Sequence, residues 1–195
     1  RDILTIKGLI RRGEARTASS YNNIPLDRVH FLDLPFYETG KIQKNPISEA
    51  DVEIVRNLLR EIKPHQIFVA GDLADPHGTH RVCTDAVFAA VDLEKEEGAK
   101  WLKDCRIWMY RGAWAEWEIE NIEMAVPISP EELRAKRNSI LKHQSQMESA
   151  PFLGNDERLF WQRSEDRNRG TATLYDQLGL ASYEAMEAFV EYIPL

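Results

Sequence analysis

The sequence predicts an α/β fold, a Rossmann-like three-layer sandwich in which a mostly parallel sheet carries helices on both faces. Short apolar runs that suit buried strands alternate with longer segments whose apolar residues recur at helical spacing. Such alternation is typical of parallel sheets joined by crossover helices. No internal repeat or low-complexity linker interrupts the 195 residues, so we expect a single domain over residues 1–195.

The first half of the chain predicts three helices and two strands. The helices cover residues 3–21, a segment that follows the Ser48-Glu-Ala-Asp51 capping box, and residues 79–97. A short strand is expected between the prolines of residues 25–35, and a buried strand over the apolar run of residues 66–71.

The second half predicts two further strands and a helical end. The strands cover residues 106–111 and 122–128. Ser129-Pro-Glu-Glu132 starts a helix, because it combines an N-cap serine, a proline at the first helical position and a glutamate at the third. Two more helices are expected, one from Asn155 to Gly170 and one from Ser182 to Tyr192.

Composition limits the partners and the cellular location. The 25 basic and 32 acidic side chains give a formal charge of −7, which argues against nucleic acid as the main partner. The sequence has neither a run of about eighteen apolar residues nor a secretory signal, so we expect a cytoplasmic protein without a membrane span. Cys83 and Cys105, expected to be unpaired and buried, suit a reducing compartment.

The chain begins at Arg1, without a methionine and directly in helical sequence. We therefore expect it to be the C-terminal portion of a longer protein, with a sheet truncated at its N-terminal side. A missing strand would leave an unpaired sheet edge, through which a homo-oligomer could form.

The stretch Asp75-Pro-His-Gly-Thr-His-Arg81 is the strongest candidate for a functional site. It places two of the five histidines three positions apart, directly after the buried strand of residues 66–71. In open α/β sheets ligands bind at the carboxyl ends of strands, and imidazole and carboxylate are common zinc ligands. The alternative is a simple strand-to-helix connection, since Asp-Pro and His-Gly are turn dipeptides.

Three segments together resemble the LmbE or PIG-L family of zinc-dependent N-deacetylases, which act on N-acetylglucosamine conjugates. The first is the Asp-Pro-His-x-x-His pattern of residues 75–80. The second is Arg137-Asn-Ser-Ile-Leu-Lys-His-Gln-Ser-Gln146, which is similar to the family's Lys-x-x-Ile-x-x-His-x-Ser-Gln. The third is Arg11-Arg-Gly-Glu-Ala15, which is similar to an Arg-x-x-Glu-Ala segment.

The resemblance implies a role for each candidate residue. His80 would be a zinc ligand, and His77 would stabilise the oxyanion or protonate the leaving amine. Asp75 would hold one imidazole in the correct tautomer. Arg11, or Arg12 if the register differs by one, would contact the amino-sugar substrate; the alternative for either arginine is a surface charge.

One family motif is absent from this sequence. The Ala-His-Pro-Asp-Asp-like turn supplies a histidine, a metal-binding aspartate and a catalytic base to the family, and it would precede Arg1. We therefore expect this chain to hold an incomplete site for one divalent metal, either zinc or iron. Because the site is incomplete, we expect the chain to be inactive alone.

A second resemblance concerns the fusion partner. Asp75–Arg81 together with Trp108-Met-Tyr-Arg-Gly-Ala-Trp114 is similar to an LmbE-like region fused behind a glucosamine-6-phosphate deaminase in some bacterial proteins. This implies an N-terminal partner domain and a role in amino-sugar metabolism. The longer protein that contains this chain would be a hydrolase. Trp114 would line the sugar pocket by stacking, although core packing accounts equally well for the aromatic residues in this region.

Two other function classes remain open. The chain could be a non-catalytic domain that binds an amino sugar and regulates the attached enzyme. It could also bind a nucleotide at its strand ends, but no glycine-rich phosphate loop is present.

Overall fold

The computed structural model describes residues 2–37, 44–71, 78–112, 115–147 and 157–194. In these ranges the α-helices are α1 (Asp2–Tyr21), α2 (Glu49–Ile62), α3 (Thr79–Glu96), α4 (Pro130–Ile140), α5 (Gln144–Met147) and α6 (Phe160–Gln177). The strands in the same ranges are β1 (Gln66–Ala70), β2 (Arg106–Tyr110), β3 (Met124–Ile128) and β4 (Ala185–Tyr192). Most of the predicted elements are therefore present close to their expected bounds.

The sheet of the described ranges has the strand order β1-β2-β4-β3. β1 and β2 are parallel, with Phe68 opposite Trp108, whereas β2 and β4 are antiparallel, with Trp108 opposite Glu191. The fold is thus α/β with an open, mixed sheet. The prediction of a mostly parallel sheet is not met, because the last strand of the chain enters beside β2 in the opposite direction.

That last strand replaces the helix predicted from Ser182 to Tyr192. Aromatic and β-branched residues favour a strand when they meet a complementary surface. Here the ring of Phe189 packs edge-on against Phe68 with centroids 5.5 Å apart, and Tyr192 stacks on Phe88 at 3.6 Å. These partners are distant in sequence, and their packing overrides the local helix signal.

The strand predicted over residues 25–35 is also wrong. Two single 3₁₀ turns, Leu26–Arg28 and Pro35–Tyr37, occupy this part of the chain. Prolines at both ends lack the N–H that a strand ladder needs, and they fix φ in the range that turns require. The predicted helix from Asn155 begins instead at Phe160 and continues to Gln177; Asn155 lies outside the described residues.

Residue contacts divide the chain into two compact units. The first unit comprises Arg1–Phe31, Ala113–Glu116 and Ala125–Ala188, and the second comprises Leu32–Gly112, Trp117–Met124 and Phe189–Leu195. Whether the chain is one domain stays a prediction.

The core of the second unit joins α2, α3, β1 and β2. Its buried apolar side chains are Val52, Val55, Leu59, Val69, Ala86, Ala90, Val91 and Ile107. The predicted capping box is confirmed, because the Asp51 carboxylate accepts from the Ser48 N–H at 2.8 Å and its hydroxyl at 2.5 Å. The same carboxylate accepts from the Phe36 N–H at 2.9 Å, so it fixes the start of α2 to the preceding turn.

A buried carboxylate links α2 and α3 on the polar side of this core. Glu94 accepts from Nε of Arg56 and from Nε of Arg60, each at 2.6 Å, and it is 3% exposed. The indole N–H of Trp101 lies 3.4 Å from its other oxygen. Three donors therefore compensate one buried charge and hold the two helices together.

Two expectations concern thiols and membranes. Cys83 and Cys105 are both free, but Cys83 is exposed and Cys105 half-buried, so the prediction of two buried thiols is wrong. Among the described helices, none is long and apolar enough to span a bilayer. A cytoplasmic location stays a prediction.

Candidate functional site

The carboxyl ends of β1 and β2 form a tightly built corner in the second unit. Gly71 directly follows β1, and its N–H donates to the carbonyl of Tyr110 at 2.7 Å. The Thr84 hydroxyl donates to the carbonyl of Ala70 at 2.7 Å, which ties the second turn of α3 to the same strand end. The strand end and the helix are therefore held as one rigid frame.

Gly71 is required in this corner by space. A Cβ atom on Gly71 would lie 2.6 Å from Cζ2 of Trp117 and 2.7 Å from Cβ of Met109. Carbon atoms in van der Waals contact are about 3.5–4.0 Å apart, so no other residue fits without displacing its neighbours. The glycine lets the Trp117 indole approach the backbone where the strand ends.

Arg111 completes the corner. Its Nη1 donates to the carbonyl of Gly71 at 3.1 Å, and its guanidinium lies 4.4 Å from the ring centroid of Trp117. Stacking on an aromatic face and bonding to a backbone carbonyl leave this long side chain little freedom. A fixed guanidinium at a strand end suits the binding of a carboxylate or a phosphate.

His80 is the predicted site residue that the structure places beside this frame. Gly78 precedes α3 with a φ of 68°, a left-handed conformation that favours glycine, and α3 begins at Thr79. His80 therefore stands in the first turn of α3, and it is exposed. The predicted strand before the motif and the predicted helix start at Thr79 are confirmed, whereas residues 72–77 between them lie outside the described residues.

Three other predicted site residues lie outside the described residues. These are Asp75, His77 and Trp114. Their roles stay predictions. In the ranges that the structure describes, no group of three or more histidine, cysteine, aspartate or glutamate side chains is arranged to hold a metal ion. His80 can supply one ligand, and the remaining ligands of a zinc site would come from residues that the structure does not describe.

Arg11 and Arg12 lie on α1 in the first unit. Arg11 is exposed, whereas Arg12 is half-buried with its guanidinium 5.3 Å from the ring centroid of Phe31. Arg16 lies over the same ring at 5.5 Å. The packing of Arg12 favours a structural role for that residue, and Arg11 has the more accessible side chain for a substrate.

The structure brings together two of the segments that resemble the deacetylase family. The Glu14 carboxylate accepts from the Ser145 N–H at 2.6 Å and from its hydroxyl at 2.7 Å. These hydrogen bonds, together with the nearby charge of His143, lower the pKa of Glu14 although burial opposes them. The Arg-x-x-Glu-Ala and His-x-Ser-Gln segments are therefore contact partners that join α1 to α5.

The aromatic residues near β2 have different environments. Trp108 is 5% exposed, so it belongs to the core and cannot offer its face to a sugar. Tyr110 is 37% exposed at the strand end. The Arg111 guanidinium lies over the Trp117 ring, an arrangement that the sequence did not predict. The available signal was Gly71 directly after an apolar strand, since a glycine there often marks a place where another group comes close to the backbone.

Comparison with known proteins defines the fold. No family model matches the chain. GalB, the 4-carboxy-2-hydroxymuconate hydratase from Pseudomonas putida, is similar in structure with a TM-score of 0.64 at 14% identity, over 95% of this chain and 72% of GalB. The conserved protein TT1542 from Thermus thermophilus is similar with a TM-score of 0.57 at 18% identity, over 95% of this chain and 74% of TT1542. The chain therefore shares the fold of these two proteins.

Proposed function

We propose that the chain is part of a zinc-dependent hydrolase that removes the acetyl group from an N-acetylated amino sugar. The proposal combines the chemistry of the Asp75–Arg81 motif with the resemblance to the LmbE or PIG-L family and with the fold shared with GalB and TT1542. We further propose that the longer protein carries a glucosamine-6-phosphate deaminase domain, so that both activities would serve amino-sugar metabolism in the cytoplasm.

The observation that carries the proposal is the position of His80. It stands in the first turn of α3, and the strand that precedes it, β1, ends at the rigid corner of Gly71, Arg111 and Trp117. Ligands of open α/β sheets bind at such strand ends. A neutral imidazole there is a suitable zinc ligand.

Each candidate residue has its own role in the proposed reaction. His80 holds the metal, which supplies Lewis acidity and an activated water. His77 stabilises the negative oxygen that forms at the amide carbon or gives a proton to the leaving amine, and Asp75 orients an imidazole. The sugar contacts predicted for Arg11 and Trp114 stay predictions.

A second candidate is the hydration of an unsaturated carboxylic acid. It is favoured by the likeness to GalB, whose name states such an activity. The fixed guanidinium of Arg111 at the strand ends suits a carboxylate substrate as well as a sugar phosphate.

The test measures both activities in the full-length protein supplied with zinc. We expect release of acetate from N-acetylglucosamine or its 6-phosphate, and we expect His77→Ala to bind zinc normally while turnover falls at least about a hundredfold. Hydration of 4-carboxy-2-hydroxymuconate without acetate release would refute the deacetylase and favour the second candidate. A protein that binds the amino sugar and does neither reaction would be a non-catalytic binding domain.

A further inference from the structure

The hydroxyl of Thr84 makes a hydrogen bond between two elements of the fold. Thr17, Thr171 and Thr173 each donate to the carbonyl four residues earlier in their own helix, at 2.9 or 3.0 Å. Such a bond within the helix is common for a helical threonine. Thr84 instead donates at 2.7 Å to the carbonyl of Ala70, which lies fourteen residues earlier at the end of β1.

The carbonyl of Ala70 has no strand partner in the described part of the sheet. The backbone of His65 accepts from β2 at 2.9 Å, and that of Gly71 donates to β2 at 2.7 Å. Polar groups of successive residues in a strand point to alternate sides, so those of Ala70 point away from β2. On that side β1 is the end of the strand order β1-β2-β4-β3. The Thr84 hydroxyl therefore satisfies this carbonyl where no described strand does.

Thr84 lies in the buried part of α3. It is 2% exposed, and Ala86, Ala90 and Val91 of the same helix are fully buried. A hydroxyl in apolar surroundings costs free energy unless it is hydrogen-bonded, and the bond to Ala70 compensates that cost. Valine has nearly the same shape as threonine but no hydroxyl, so it would pack equally well and leave the two elements unconnected.

His80 stands one helical turn before Thr84. Residues four apart lie on the same face of a helix, with their Cβ atoms about 5–6 Å apart. Because Thr84 faces the carboxyl end of β1, His80 lies on the same face of α3, one turn nearer the start of the helix. Thr84 is buried and His80 is exposed, so this face passes from the core to the surface within one turn. The position of the imidazole therefore follows from where Thr84 holds the helix.

The hydrogen bond between Thr84 and Ala70 joins the two ends of the segment that carries the candidate motif. The residues between these two partners include all of Asp75–Arg81. At the start of α3 the Val82 N–H donates to the carbonyl of Gly78 at 3.0 Å. Helix ends open more readily than helix centres, so loss of the tie to β1 would release this first turn.

We propose that Thr84 is a positioning residue of the candidate site. Its hydroxyl fixes the first turn of α3 against the end of β1 and thereby sets the position of His80. Thr84 contacts neither the metal nor the substrate and acts only through His80. The inference rests on the proposed function, in which His80 is a zinc ligand.

Two substitutions at Thr84 separate the hydroxyl from the packing. Thr84→Val keeps the shape and removes the donor, whereas Thr84→Ser keeps the donor and removes a methyl group. In the full-length protein, titration against a competing chelator should show zinc affinity about tenfold lower in Thr84→Val and within about twofold of the parent in Thr84→Ser. A loss in Thr84→Ser as large as in Thr84→Val would overturn the proposal, because packing and not the hydroxyl would then set the affinity.

Hydrogen exchange gives a second measurement that needs no metal. The metal-free full-length proteins are compared by mass spectrometry in the peptide that contains the Val82 amide. This amide should exchange about tenfold faster in Thr84→Val and at the parent's rate in Thr84→Ser. Unchanged exchange in Thr84→Val would overturn the proposal.

Thr171→Val is the matched control. Thr171 is also 2% exposed, and its hydroxyl donates to Glu116 at 2.7 Å in the first unit. Its substitution should lower the midpoint of thermal unfolding about as much as Thr84→Val and leave zinc affinity and Val82 exchange unchanged. Equal losses of zinc affinity in the two variants would overturn the proposal, because a general loss of stability would explain both. A parent that binds no zinc would refute the proposed function, and the exchange of Val82 would then decide the role of Thr84.

Discussion

The substitution Gly71→Ala probes the corner on which the candidate site is built. Gly71 does not have a positive φ, so an alanine there would suffer crowding and no backbone strain. The added Cβ would lie 2.6 Å from the Trp117 ring and 2.7 Å from Cβ of Met109, about 1 Å inside normal contact. Because Cβ of Met109 is anchored to β2, the strand itself has to move.

The expected cost follows from these contacts. Overpacking of a dense site costs about 1–3 kcal/mol, and the rigid neighbour places Gly71→Ala in the upper half of that range. Displacing Trp117 also weakens its contact with Arg111, which contributes about 0.5–1 kcal/mol. A loss near 3 kcal/mol should lower the midpoint of thermal unfolding by about 6–12 °C for a chain of this size.

Gly170→Ala is the matched control for this prediction. It makes the same substitution on α6, where no atom lies within 4 Å of the added Cβ. Alanine favours a helix over glycine by about 1 kcal/mol, so we expect a midpoint about 2–4 °C higher. The assay is thermal unfolding followed by circular dichroism at low protein concentration. A Gly71→Ala protein that melts within about 1 °C of the parent would refute the crowding argument.

Two further predictions concern buried carboxylates in the second unit. Burial raises the pKa of Asp51, but the hydrogen bonds from Ser48 and Phe36 more than offset it and hold that pKa below its usual value. The stability from ionised Asp51 is therefore fully present above the unfolded pKa of about 4 and is lost as pH falls through the folded pKa. Urea unfolding should show Asp51→Asn about 2 kcal/mol less stable at pH 7, with the difference shrinking below pH 4; a constant difference would contradict this. Glu94→Gln should cost about 3 kcal/mol, because it removes the buried charge to which both Arg56 and Arg60 donate. Glu53→Gln, at a pair 3.7 Å long with Glu53 50% exposed, should change stability by less than about 0.5 kcal/mol. Equal effects of the two substitutions would show that burial does not set the strength of these pairs.

Local signals explain which elements the sequence could predict. The helix starts at Ser48 and Ser129 were predicted correctly because an N-cap serine and the acidic residue three positions later bond to each other within one turn. β1 and β2 were predicted because their apolar runs are short and bounded by turn residues. The start of α3 at Thr79 was likewise predicted correctly, and it places His80 in the first turn of that helix.

Distant contacts explain the rest. β4 was mistaken for a helix because its strand form depends on Phe68 and Phe88, which are far away in sequence. The crowding of Gly71 depends on Trp117 in the same way. The buried ion pair of Arg167 with Glu187 gave no signal, because charged residues on a helix usually face solvent and only the tertiary fold brings Glu187 to Arg167.

The central claim is that His80 is a metal ligand, and the zinc content of the protein and its variants tests this claim directly. The full-length protein should be loaded with zinc, dialysed and assayed for metal by mass spectrometry, in parallel with His80→Ala and with His65→Ala as an exposed control that precedes β1. We predict about one zinc per chain in the parent and in the control, and almost none in His80→Ala. Zinc retained in full by His80→Ala would contradict the assignment.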